Sequence, residues 1–319
     1  MFCHFSTLQQ SLEIESRYGI EGPIRNYYVN CFDQVGQMDN ENSGYFDGSP
    51  VHNYADTLIL DLFAAESGSS TPTRGIEKEA VLILGSWMRV YDNLYQTLKI
   101  CAVGKVYYSH EFESAVSLAA AFWIGRLQVY GDNTSGTMLY NLAERAAVNF
   151  NQDNGEAEVN TKFISILEEM RSAGQNCHDQ DPEGYHDLYR LLDKMVGVMF
   201  TPLIQNLIHY IATDADPKLI ELYLLALLPQ IRSCNPNYFE LFFTHIGYLS
   251  SGDYSIEDMV DIIDYLQSMY SCFGITCKDV GFHTTGVGCD DGIVAPNVPL
   301  AGYVPNNDVR NVSFMDAIV

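Results

Sequence analysis

From residue 76 onward, apolar residues recur at intervals of three and four, the spacing of amphipathic helices. Ile83, Trp87, Val90, Tyr91, Leu94 and Leu98 form one stripe along a helix predicted over Ile76–Cys101. Ser109 is a suitable N-cap for the next helix, which the pattern carries through the Ala-rich stretch to Trp123 and toward Leu127. Gly131-Asp-Asn-Thr-Ser-Gly136 reads as a turn, and helical spacing resumes over Met138–Phe150. After the polar Asn151–Glu158, further helices are predicted over Val159–Ala173 and over Tyr185–Ala212, where Pro202 should introduce a kink. Asp216-Pro217 opens another, with Pro217 suited to the first turn, running to Pro229 or Ile231. Asn237–Leu249 and Ser255–Cys272 complete the set. Strand-like alternation is almost absent, so the class is all-α, one or two packed helical bundles.

Around this body, residues 1–75 read as a partly helical N-terminal segment with loops. Asp33–Asp56 is rich in Asn, Asp, Gly and Ser, and Ser67–Gly75 is a loop. Residues 281–319 dissolve into Gly, Pro, Val and Asn and read as an irregular tail lying on the body or reaching a partner. Trp87–Cys101 followed by Glu113–Leu127 resembles Val198–Thr213 followed by Glu221–Ile231. A duplication of this kind would divide the body into halves at 76–150 and 159–280.

Composition narrows the function classes. The 319 residues carry 17 Lys+Arg against 41 Asp+Glu, a formal charge of −24. Such a chain repels phosphate backbones and anionic membrane surfaces and concentrates cations. The longest apolar run, Leu222–Leu228, has seven residues, far short of the ~20 of a membrane span. Met1–Gln10 lacks the basic and apolar regions of a secretory leader.

Eight cysteines stand at 3, 31, 101, 177, 234, 272, 277 and 289, with no Cys-x-x-Cys and no zinc-finger spacing to histidine. This pattern favours several disulfides and an oxidising compartment over buried free thiols. Cys277 and Cys289 are the one pair suggested by spacing, as a short local closure. The sequons at Asn133 and Asn311, both in turn-like segments, point the same way.

No phosphate-cradling Gly-rich loop, nucleophile elbow or His-Glu-x-x-His helix is present, and no nucleophile–base constellation suggests an enzyme. What remains is an acidic chain with 21 Tyr and 8 His. Carboxylate and phenolate oxygens suit ferric iron, and carboxylates suit calcium. Glu257, Asp258, Asp261 and Asp264 oppose the apolar stripe of Ile256, Val260, Ile263, Leu266 and Tyr270, which favours a solvated face. Cys177–Asp187 gathers two His and four acids but departs from the EF-hand spacing, and loose surface acidity is favoured. Gln205 and His209 share the polar face of their helix, where packing or capping is favoured over ligation. His110 and Glu113 lie at i, i+3, the spacing of inward-facing ligands in di-metal bundles and also of a helix-start charge pair. Trp87, Tyr91 and Tyr95 read as core, with Asp92 beside them.

Five stretches taken in order resemble the algal low-iron-inducible periplasmic, or iron-assimilation, proteins: Ala80–Cys101, Ala120–Phe150, Met195–Tyr210, Ala226–Asn235 and Tyr270–Gly281. The last is the most specific, and the pattern covers roughly residues 55–282. The resemblance implies a secreted, mostly helical protein of a periplasm or cell surface that captures iron without catalysis. The chain departs from the family in carrying Tyr91, Asp92 and Tyr95 where the family tends to place a histidine and acids. Tyr91, Asp92, His110 and Glu113 are the expected iron ligands. The alternative keeps the fold without the metal: a structural or interaction protein of an extracellular assembly, self-associating or docking a neighbour through residues 281–319.

Overall fold

The computed structural model describes residues 59, 62–63, 75–102, 110–152, 155–177, 182–251 and 256–289. The first predicted helix is present as α1 (Ile76–Ala80), a π-helical segment (Val81–Ser86) and α2 (Trp87–Ala102) in unbroken succession. It is followed by α3 (His110–Ile124), α4 (Leu139–Asn149), α5 (Glu158–Gly174) and α6 (Pro182–Ala212). α7 (Pro217–Cys234), α8 (Pro236–Ser251), α9 (Ile256–Ser268) and the short α10 (Cys277–Val280) complete the set. The fold is all-α, and the described residues form no strand, only one isolated bridge between Phe282 and Gly288.

α6 is the axis of the body. It packs against α2, α4, α5, α7, α9 and α10, while α2 lies on α3 and α7 on α8. Its face is continuously apolar, with Leu188, Leu192, Met195, Met199, Phe200, Leu203, Ile204, Leu207 and Ile208 all buried. Each such side chain contributes about 1.5–3 kcal/mol by leaving water, so this single helix organises much of the core. By length and hydropathy its Gly184–Ala212 stretch is long and apolar enough to cross a membrane, and 78% of the qualifying window is buried in the body. The helix runs on through Pro202, and Trp87 Nε1 donates to Met199 O at 3.0 Å, fastening α2 to it. Gly197 lets the 273–274 turn come close: a Cβ there would stand 2.8 Å from Gly274 O. Buried apolar residues from Ile59 to Cys289 make one contiguous cluster, so the sequence halves 76–150 and 159–280 share a single core.

Local signals explain some helix boundaries. Asp216 accepts the Lys218 N–H at 3.0 Å with Pro217 in the first turn, as expected. The predicted extension of α3 to Leu127 is not found. The helix stops at Ile124 because Gly125 turns the chain at φ +73°, and Leu127 stands 79% exposed at φ +67°. Six cysteines form three disulfides, Cys101–Cys177, Cys234–Cys272 and the suggested Cys277–Cys289. The first joins the end of α2 to the residues after α5, and the second joins the end of α7 to the turn after α9. Cys3 and Cys31 lie outside the described residues, as do nearly all of 1–75 and all of 290–319.

Residues 277–289 lie on the body. Thr284 N–H donates to Asn149 O at 2.9 Å, His283 N–H to Val287 O at 3.0 Å, and Gln152 Nε2 to Lys278 O at 2.9 Å. Lys162 Nζ lies 2.6 Å from Asp279 Oδ1. These bonds and the 277–289 disulfide seat the segment on α4, α5 and α6.

Candidate functional site

The four expected ligands occupy different surroundings. Tyr91 is wholly buried, its ring stacked between Trp87 and Tyr95 at centroid distances of 5.9 and 6.4 Å. Asp92 is half-buried and accepts from Gln96 Nε2 at 3.4 Å. His110 and Glu113 are exposed in the first turn of α3, where Glu113 lies 3.5 Å from Arg171 Nε. Among the described residues no three or more His, Cys, Asp or Glu side chains are grouped so as to hold a metal ion. Asn133 is exposed in the turn before α4, Asn311 lies outside the described residues, and Asp261 and Asp264 face solvent as expected.

A different set of oxygens does converge. Glu79, the fourth residue of α1, is buried and reaches between α4, α6 and α7. Its Oε1 accepts the Tyr223 hydroxyl at 2.6 Å and the Tyr210 hydroxyl at 3.3 Å, while Arg145 Nη2 lies 3.5 Å from Oε2. The two tyrosine rings lie 5.4 Å apart. Tyr223 is fully buried and Tyr210 half-buried. Burial first, and then the Glu79 charge, push both phenols well above their ordinary value, so both hydroxyls are protonated donors near neutrality. Arg145 closes the outer edge, with 43% of its side chain exposed against 11% for Glu79.

One residue before Tyr210 on α6, His209 points to the C-terminal segment. Its Nδ1 lies 3.0 Å from His283 Nε2, and its ring is 5.5 Å from that of Tyr210. His283 Nδ1 accepts the Thr285 N–H at 3.2 Å. The hydrogen-bond network therefore assigns the proton to His283 Nε2, which donates to His209. Burial lowers both imidazoles below their usual value, with the charge of His209 acting further on His283. Gln205, expected on a polar face, is fully buried and donates through Nε2 to Val280 O at 2.8 Å and to Gln152 Oε1 at 2.9 Å. Packing, the favoured reading for Gln205 and His209, describes both.

A further buried carboxylate joins α3, α4 and α5. Glu144 accepts the Ala157 N–H at 3.1 Å, at the entrance to α5, and Asn160 Nδ2 at 2.7 Å. Asn160 donates also to Tyr140 O at 3.0 Å and accepts from Trp123 Nε1 at 2.9 Å.

The Glu79 cluster escaped sequence reasoning because its partners are 66, 131 and 144 residues away. One signal was available. Glu79, Ile83 and Trp87 follow one another at helical spacing, which puts a carboxylate on the apolar stripe, where a buried partner is required. No protein family, curated protein or solved structure matches the chain.

Proposed function

We propose that this chain is a secreted, non-catalytic protein of a periplasm or cell surface that binds iron for uptake. The observation that carries the extracytoplasmic part is the set of three disulfides bracing separate places in the helical body, the pattern of an oxidising compartment. Iron as the cargo is supported by the resemblance of five ordered stretches to the algal iron-assimilation proteins, and by an acidic chain rich in oxygen donors. Metal analysis of protein purified without chelator, followed by titration with ferric citrate, should give near-stoichiometric iron. No binding at micromolar iron would remove the proposal.

A second reading, an interaction protein of an extracellular assembly, is favoured by the turn between α3 and α4. Leu127, Val129 and Tyr130 are exposed there by 79, 58 and 74%. Gln128 Nε2 holds the turn through Val129 O, Asp132 O and Ser135 Oγ, so the apolar residues are displayed on a fixed frame. Light scattering should then show association that Leu127→Ser with Tyr130→Ser removes, and a concentration-independent monomer would count against it.

A further inference from the structure

We propose that Glu79, Tyr210 and Tyr223 are the donor set of a ferric-ion site at the junction of α1, α6 and α7. The inference rests on the iron-binding reading above and names its ligands.

The geometry is the first argument. Both phenolic oxygens lie beside one carboxylate oxygen, at 2.6 and 3.3 Å. Neighbouring donors on an octahedral ion with bonds of about 2.0–2.1 Å are about 2.9 Å apart. Each phenolic oxygen therefore stands within a few tenths of an ångström of the separation that neighbouring ligand atoms take in such a shell. The remaining positions are left for water or a small anion.

Donor chemistry is the second. The set contains oxygen alone, with no thiolate or imidazole, and so selects hard cations. Calcium and magnesium bind carboxylates, carbonyls and water, and they compete poorly with the proton of a buried phenol. A trivalent ion displaces that proton. One carboxylate and two phenolates match the three charges of Fe(III) as two protons leave, and the Arg145 guanidinium beside Glu79 favours a small anion in the remaining shell. Without metal, those protons hold the same three oxygens together as hydrogen bonds. Binding therefore weakens by about a hundredfold for each pH unit of acidification, since two protons are exchanged per ion.

Access is the third. Arg145 reaches Glu79 through one 3.5 Å contact and is itself 43% exposed. A tether of this kind is weak, and its movement uncovers the cluster from the Tyr210 side. Glu79 also immediately precedes the π-helical segment but for Ala80, and π-turns recur beside functional sites.

The test is to load the intact, oxidised protein with ferric citrate and record its visible spectrum beside its iron content. Iron bound by phenolate gives a visible ligand-to-metal charge-transfer band, and resonance Raman on the unmutated protein shows tyrosinate ring modes. One iron per chain with this band is expected. Tyr210→Phe, at the edge of the core, should shift and weaken the band, and Tyr210→Phe with Glu79→Gln should abolish both band and stoichiometric iron. Iron bound without the band, or a band untouched by Tyr210→Phe, overturns the donor set while leaving iron binding in place. No iron bound at all overturns both.

Discussion

Replacing Asn160 by Leu should cost the protein about 5 kcal/mol, although the two side chains have similar volume. Asn160 is fully buried and serves three partners at once: Trp123 Nε1 at 2.9 Å, Tyr140 O at 3.0 Å and Glu144 Oε1 at 2.7 Å. Leucine leaves the indole N–H without an acceptor, at about 1–3 kcal/mol for a buried unpaired group, and removes a charge-assisted bond of similar or larger value. The Tyr140 carbonyl, already in a helix, loses less. Glu144 keeps the Ala157 N–H at 3.1 Å, so its carboxylate is not wholly stranded, and the sum stays near 5 rather than 8 kcal/mol. Added apolar contact returns about 1 kcal/mol at most. Against a typical total of about 5–15 kcal/mol, the variant should unfold at far lower urea. The assay is urea denaturation followed by far-UV circular dichroism with the disulfides intact. Trp123→Phe removes the donor while retaining a ring against Phe163, which stacks at 4.2 Å. Combined with Asn160→Leu, it should cost clearly less than the sum of the single changes, with a coupling of about 1–2 kcal/mol. A loss below 1 kcal/mol for Asn160→Leu, or additive single and double variants, would refute the node as an energetic unit.

Two further predictions concern other parts of the body. Burial pushes the half-buried Asp193 carboxyl up from 3.8 to about 6, so its contribution to folding is full below about pH 4 and is lost as pH rises through 6. Asp193→Asn should therefore stabilise by about 1–3 kcal/mol at pH 8 and change little at pH 4, and equal shifts in melting temperature at both values would contradict this. The Cys101–Cys177 bond closes a separation of 76 residues, worth about 4.5 kcal/mol on chain-entropy arithmetic. Cys101→Ser with Cys177→Ser should lower the urea midpoint markedly, and an unchanged midpoint would show that the packing of α2, α3 and α5 alone holds this end.

The helices were legible because their information is local. The stripe from Ile83 to Leu98, the Asp216-Pro217 start and the core placement of Trp87, Tyr91 and Tyr95 each follow from spacing or capping within one element. What was hidden depends on chain crossings. The apolar period carries α3 past Gly125 to Leu127, yet the Leu127 side chain finds no core and stands in solvent. The 281–289 segment has the composition of a loose tail, and its contacts with Asn149 and His209, with the Cys277–Cys289 bond, make it part of the body. The pairing of α1 with α6 and α7 through Glu79 has no local trace beyond one acid on an apolar stripe.

Glu79 and Glu144 are buried carboxylates met by different kinds of donor. Glu144 is met by a backbone N–H and an amide NH₂, donors that keep their protons at any accessible pH and leave nothing for a cation to replace. Its role is to start α5 and hold Asn160, and substitution there reads out in stability. Glu79 is met by two hydroxyls and one partly exposed guanidinium. Hydroxyl protons are exchangeable for a metal, and on the proposal above the oxygens left behind become ligands after shifts of a few tenths of an ångström. Burial raises both phenols, so each hydroxyl keeps its proton and donates it to Glu79. Replacing Tyr210 by Phe therefore discriminates the two uses: a purely structural pair loses stability alone, whereas a ligand pair loses the iron chromophore with the helical body intact.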